Sequence, residues 1–175
     1  MLTYTNVMTH LYFVRHGLSV MNEKGIFSGR TETPLSDEGR RQAVAAGKEL
    51  QAKSIDCIVV SPMERAAQTA AIIAREIGFP SDKIIVSNLL MERDFGPLEG
   101  TPYKPSLGDT AGVEPISDLL KRAAEAYTLL SGRSEKNILV VSHGAIGRAL
   151  RHCTDSTIPF RPSAGFNNAQ VVQLL

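Results

Sequence analysis

Arg15-His16-Gly17 places a cation, an imidazole and a glycine directly after the apolar run Leu11-Tyr12-Phe13-Val14. The order returns near the C-terminus, where Ser142-His143-Gly144 follows Ile138-Leu139-Val140-Val141. Short apolar runs bounded by turn signals read as buried strands, and in an open α/β sheet ligands bind in the crevice outside the strand carboxyl ends. Two strand-end His-Gly pairs in a chain with four histidines therefore mark a candidate site. A third run, Cys57-Ile58-Val59-Val60, leads through a turn to Arg65. Arg15 and Arg65 suit an oxyanion because the planar guanidinium donates two hydrogen bonds at once. Helix N-termini after the strands would add free N–H groups and a positive dipole end, and the glycines after the histidines would let backbone N–H groups come close. The set describes a phosphate site, with no P-loop or other nucleotide fingerprint beside it.

Amid this positive charge an unprotonated imidazole can attack phosphorus while the cations stabilise the transferring group. A leaving alkoxide needs a proton, which a carboxylic acid supplies. Glu92, Asp94 and Glu99, at and beyond the mouth of a Gly- and Pro-containing stretch, are the candidates, and spacing alone does not choose among them.

The elements that must position these residues alternate between strand and helix. A strand over 10–14 precedes a polar loop to about Pro34, and Ser36 offers an N-cap for a helix over 37–53 with Ala43, Val44, Gly47 and Leu50 on one face. After the strand 57–60, Ser61, Pro62 and Glu64 stand at N-cap, N1 and N3, a capping-box arrangement. The helix it opens carries Ala66, Ala67, Ala70, Ile73 and Ile77 and stops at Gly78. A short strand at 84–86, a long loop over 92–115, a helix over 116–130 ending at Gly132, a strand over 138–141, a helix over 145–153 and a strand over 169–174 complete the chain. The pattern predicts one α/β domain of three layers, a mainly parallel sheet of five or six strands flanked by helices on both faces. Residues 10–175 form that domain, and 1–9 read as a flexible tail.

The 175 residues are 43% apolar and 21% charged, with a net charge of +1. This balance gives no footprint for nucleic acid or an anionic membrane. Cys57 and Cys153 read as core or half-buried thiols outside any metal-ligand spacing. The start has no signal-peptide pattern and no stretch approaches a membrane span, so the expected location is cytoplasmic.

The ordered set of motifs resembles the histidine phosphatase superfamily, the phosphoglycerate-mutase-like group. It runs through Arg15-His16-Gly17, Asn22 with Phe27-Ser28-Gly29, Thr33-Pro34-Leu35-Ser36 to Gly39, Ser61-Pro62-Met63-Glu64-Arg65-Ala66-Ala67-Gln68-Thr69-Ala70, Glu92-Arg93-Asp94-Phe95-Gly96-Pro97-Leu98-Glu99-Gly100 and Ser142-His143-Gly144. The resemblance implies that His16 is the nucleophile that becomes phosphohistidine. It implies that Arg15, Arg65 and His143 clamp the phosphoryl group, that Asn22 adds a polar contact, and that no metal or organic cofactor takes part. It picks Glu92 as proton donor, four residues before Gly96 and eight before Gly100. Ser28, Gly29 and Gly144 either touch phosphate or shape its loops. Arg30, Arg93 and Lys104 read as solvated charges, with Lys104 in the long loop also placed to touch substrate; His10 reads as marking the strand entry and His152 as structural or surface.

Three departures bear on substrate. Mutase-type members tend to carry Glu where this chain has Leu18 and Asn where it has Ala145, and they hold a long insertion with paired arginines. Here 42 residues separate Gly100 from His143, with no Arg-Arg pair among them. The expectation is a phosphomonoesterase, monomeric or homodimeric, acting on a small phosphorylated metabolite. The alternatives are a mutase-type phosphotransferase and a weakly catalytic phospho-ligand-binding module.

Overall fold

The computed structural model describes residues 10–103, 110–161 and 165–175; the expected tail over 1–9 and Lys104 lie outside them. In chain order the elements are β1 (His10–Arg15), α1 (Val20–Glu23), α2 (Asp37–Leu50), β2 (Cys57–Val60), α3 (Glu64–Ile77), β3 (Ile85–Val86), α4 (Ile116–Ser131), β4 (Asn137–Ser142), α5 (Gly144–Thr154) and β5 (Val171–Gln173). The sheet has five strands in the order β3-β2-β4-β1-β5. β1 and β2 run parallel to β4, and β3 runs parallel to β2. Only β5 is antiparallel, paired with β1. The α/β architecture and the mainly parallel sheet match the sequence reading. No helix among the described residues is long and apolar enough to cross a membrane.

Successive strand side chains point to opposite faces, and the apolar runs supply both layers. Leu11, Phe13, Cys57, Val59, Ile138 and Val140 join a core under α4 and α5. Tyr12, Val14, Ile58, Val60, Leu139 and Val141 join a second under α2 and α3. Each fully buried aliphatic side chain contributes roughly 1.5–3 kcal/mol, so these runs anchor the middle of the sheet.

Ser36 caps α2 as expected, its Oγ accepting the Gly39 N–H at 3.1 Å. The helix turns Ala43, Ala46, Gly47 and Leu50 inward, while Val44 is only half-buried on the flank. A side chain at Gly47 would meet Glu76 Cβ at 2.6 Å, so glycine there lets α2 and α3 lie close together.

The capping box at Ser61 does not form. Helix α3 begins at Glu64 with Met63 as its N-cap, and the Ser61 hydroxyl meets His143 at 2.7 Å while taking only a 3.4 Å N–H from Met63. Two features escaped the sequence reading. Helix α1, capped by Ser19, is too short to show a period, and the long loop contains a 3₁₀ turn at Gly96–Leu98.

Candidate active site

β2, β4 and β1 are adjacent in the sheet, so their carboxyl ends deliver Ser61, His143 and His16 side by side. The backbone ladder continues into the site: His16 N–H donates to Ser142 O at 2.8 Å and Ser61 N–H to Val141 O at 3.1 Å. The rings of His16 and His143 lie 5.1 Å apart, edge to face.

His16 is held in one tautomer. Its Nδ1 lies 2.7 Å from Gly17 O. A carbonyl only accepts, so Nδ1 carries the proton and Nε2 keeps its lone pair. Arg65 Nε donates to that Nε2 at 3.1 Å. Burial, then the charges of Arg65 and Arg15, push the His16 pKa well below the usual imidazole range. His143 is pushed down in the same way by burial and then by Arg65. Both rings are therefore neutral at physiological pH, and a buried neutral imidazole with a free nitrogen is a competent nucleophile.

Arg65 is 1% exposed. Beyond His16 its fork donates to Thr31 O at 3.1 Å and Gly29 O at 2.6 Å. Thr69, one helical turn on, accepts the Gly17 N–H at 3.0 Å and donates to Arg65 O at 2.7 Å, tying the end of β1 to α3. Arg15 Nη1 donates to Phe166 O at 2.9 Å, and Asn168 Nδ2 to His16 O at 2.9 Å. The C-terminal segment thus braces the nucleophile loop, a role nothing in the spacing of these residues signals.

Of the three carboxylates, Glu92 alone joins the histidines. It is 8% exposed and accepts the Ala145 and Ile146 N–H groups of the first turn of α5, at 3.1 and 3.2 Å, and the Arg93 N–H at 2.9 Å. Its charge also bears on both Arg15 and Arg65. Asp94 is spent on the Gly96 N–H and on Arg30. Glu99 accepts the N–H groups of Arg30, Thr31 and Phe95 and fastens the 28–31 turn. Ala145, one of the departures from the mutase pattern, gives its backbone N–H to Glu92 and packs its methyl into the core under α4 and α5.

The glycines separate into three jobs. Gly29 has φ +49 and sits where a side chain would collide with Glu99, so its task is the turn. Gly17 would collide with the Gly39 carbonyl, and its N–H goes to Thr69; it permits close packing on α2 and does not offer an N–H to an oxyanion. Gly144 borders the site itself. A Cβ there would lie 3.7 Å from Arg15 Nε and 3.8 Å from Glu92 Oε2.

Arg15 Nε, Asn22 Oδ1, Ser28 Oγ and His143 Nδ1 are buried atoms without a hydrogen-bond partner. Buried polar groups are normally satisfied, so the orphaned Arg15 Nε and His143 Nδ1, both in the cluster, suit a bound oxyanion. The structure brings Arg15, His16, Arg65, Glu92, His143 and Gly144 into one cluster. No hydrogen bond ties the Asn22 and Ser28 oxygens to it. Arg30 and Arg93 are not solvated charges. Arg30 donates to Glu92 O and pairs with Asp94 and Glu114, and Arg93 donates to Glu114 O and lies over the Phe95 ring. His152 is structural, its Nδ1 meeting Ile158 O at 2.8 Å.

The model of the histidine phosphatase superfamily (branch 1) matches residues 11–175. The chain belongs to this superfamily. Among relatives of this histidine phosphatase, a putative phosphoserine phosphatase 2 of Hydrogenobacter thermophilus is 31% identical over 159 residues, covering 82% of the chain and 77% of the relative. A 2,3-bisphosphoglycerate-dependent phosphoglycerate mutase of Methylobacterium sp. is 41% identical over 92 residues, but these are 51% of the chain and 44% of the mutase. A mycobacterial glucosyl-3-phosphoglycerate phosphatase solved with VO3 superposes with a TM-score of 0.81 at 25% identity, over 94% of this chain and 92% of that one. The family and the phosphatase-named relatives support an enzyme of the phosphatase type.

Proposed function

We propose that this chain is a phosphomonoesterase that works in two steps through phosphohistidine on His16, on a small phosphorylated metabolite. The observation that carries the reading is the His16 tautomer: a proton on Nδ1, held by Gly17 O, and a lone pair on Nε2 beside the buried Arg65 and the half-buried Arg15. A phosphoryl oxygen placed next to Nε2 takes the Arg65 Nε–H and frees the lone pair to attack phosphorus. Arg15, Arg65 and the Nδ1–H of His143 balance the charge on the transferring oxygens. Glu92 gives its proton to the leaving oxygen as the ester P–O bond breaks. In the second step the Glu92 carboxylate takes a proton from water, water attacks phosphorus, and the P–N bond breaks to return neutral His16 and inorganic phosphate.

The mutase reading draws on one finding, the mutase likeness over half the chain. The full-length likeness to phosphatases and the stretch after Gly100, short and without an Arg-Arg pair, favour hydrolysis. Phosphate release from p-nitrophenyl phosphate tests the reading. Wild type turns over, and His16→Ala loses activity by about three orders of magnitude or more. Wild-type turnover by His16→Ala, or labelled phosphate appearing on an acceptor sugar acid instead of in solution, overturns it.

A further inference from the structure

The carbonyl that faces His16 Nδ1 belongs to the Gly17–Leu18 peptide. Its oxygen lies 2.7 Å from Nδ1, and the N–H of the same peptide donates to Gln42 Oε1 at 2.9 Å. Gln42 is half-buried on α2, and a backbone N–H only donates, so the oxygen of its amide is the atom that faces Leu18. A trans peptide is planar, with C=O and N–H on opposite sides. Whatever fixes one fixes the other, so Gln42 aims the Gly17 oxygen from behind. Glycine offers no side chain to resist rotation of this plane, and the restraint has to come from outside. The planes on either side are held as well. His16 O accepts from Asn168 Nδ2 at 2.9 Å, Gly17 N–H donates to Thr69 Oγ1 at 3.0 Å, and Leu18 O accepts the Ser36 N–H at 2.9 Å. Among the described residues, Gln42 is the group that grips the N–H of the plane between them.

In the free protein the His16 tautomer has two keepers. Arg65 Nε–H donates to Nε2 at 3.1 Å, and Gly17 O takes the Nδ1 proton. Substrate removes the first, because a phosphoryl oxygen takes the Arg65 donor before Nε2 attacks. That oxygen is itself an acceptor. It favours a proton on Nε2, the one neutral form in which His16 has no lone pair for phosphorus. At this point the Gly17 carbonyl is what keeps the proton on Nδ1. Turning it away would strand a buried donor, which is disfavoured, and would let the proton pass to the wrong nitrogen.

We propose that Gln42 is a positioning residue: by holding the Leu18 N–H it keeps the Gly17 carbonyl on His16 Nδ1 and so sets the tautomer of the nucleophile while a phosphoryl group is bound. The inference deepens the phosphomonoesterase reading and rests on it for the effect on rate.

Proton–nitrogen NMR of histidine-labelled protein, with saturating inorganic phosphate at mildly alkaline pH, shows which His16 nitrogen carries the proton. In wild type it is Nδ1. Gln42→Met, close in size but without an acceptor, carries it on Nε2 in a measurable fraction of molecules. Its kcat for an alkyl phosphate falls about tenfold, the scale of one lost hydrogen bond, while KM moves less than about twofold. Gln42→Glu keeps an acceptor oxygen at the same reach and returns both the tautomer and most of the rate. Gln42→Asn, too short to reach Leu18, repeats the result of Gln42→Met and supplies the answer if that variant does not fold. An Nδ1 proton retained in both Gln42→Met and Gln42→Asn overturns the proposal, and so does a loss of rate that Gln42→Glu does not recover. A proton moved to Nε2 with wild-type turnover upholds the role of Gln42 and refutes, instead, His16 as the nucleophile.

Discussion

The Ser61 hydroxyl lies 2.7 Å from His143 Nε2 and accepts the Met63 N–H at 3.4 Å; its proton has no other acceptor among the described residues and is assigned to the imidazole. His143 then carries its own proton on Nδ1, the buried atom without a partner, and presents a donor where phosphoryl oxygens would sit. Ser61→Ala removes this control of the tautomer; the expected result is about a tenfold fall in kcat/KM with the fold intact, recovered in Ser61→Thr. An unchanged rate in the alanine variant contradicts the assignment. A sharper test at this scale concerns Glu92. Glu92→Gln lowers hydrolysis of an alkyl phosphate about a hundredfold or more but affects p-nitrophenyl phosphate far less, because p-nitrophenolate leaves without a proton. Equal losses on both would remove Glu92 from the proton-donor role. The histidines and Arg65 were legible because each follows an apolar run or a turn. Ser61 was misread, since Ser-Pro-Met-Glu fits a helix cap just as well, and only the sheet order reveals the imidazole that competes for the hydroxyl.

Elements set the acid as much as the nucleophile. Arg122 of α4 donates to Leu89 O, Met91 O and Glu92 O and grips both oxygens of Glu114. This one side chain holds the segment that ends β3 and carries Glu92 against α4. Replacing it with Met leaves the Leu89 and Met91 carbonyls without this donor, while among the described residues Glu92 O and the Glu114 carboxylate keep only Arg30 and the Asp94 N–H. A loss of about 2 kcal/mol or more in urea unfolding is expected, together with a lower kcat as Glu92 loses its register with α5. Full activity with unchanged stability would show that Glu92 is held by α5 alone. Close backbone approach is the second device. Gly17→Ala collides with the Gly39 carbonyl, and overpacking of this kind costs about 1–3 kcal/mol. The alternation of strand and helix was legible because continuous apolar runs of four or five residues can only be buried strands in a chain with helices between them. The Arg122–Glu114 tie was not. Glu114 stands in a Gly- and Pro-containing stretch without a period, where a charge reads as solvated until the chain is folded.

The molecule as a whole keeps two neutral histidines at its centre, His16 at 3% exposure and His143 at 0%, and this has a consequence for folding. Burial first, and then the arginine charges, depress both pKa values well below 6.5. In the unfolded chain a histidine takes up a proton near pH 6.5. Below that pH the unfolded state binds protons that the folded state refuses, so stability falls as the pH falls, by about 1.4 kcal/mol per pH unit for each ring. Urea unfolding between about pH 7 and pH 5 should show this slope, and saturating inorganic phosphate should raise stability by binding the folded state alone; a flat profile would mean that the rings are not held neutral. The same depression keeps His16 Nε2 unprotonated in acid, so the acidic limb of kcat/KM lies below the ordinary imidazole range. The central claim is a covalent bond between phosphorus and His16. Quenching turnover in alkali, where phosphohistidine survives, and mapping the labelled peptide by mass spectrometry tests it most directly. One phosphoryl group on His16, absent from His16→Ala, is the predicted result; turnover with no label on the chain, or with the label on another residue, would contradict it.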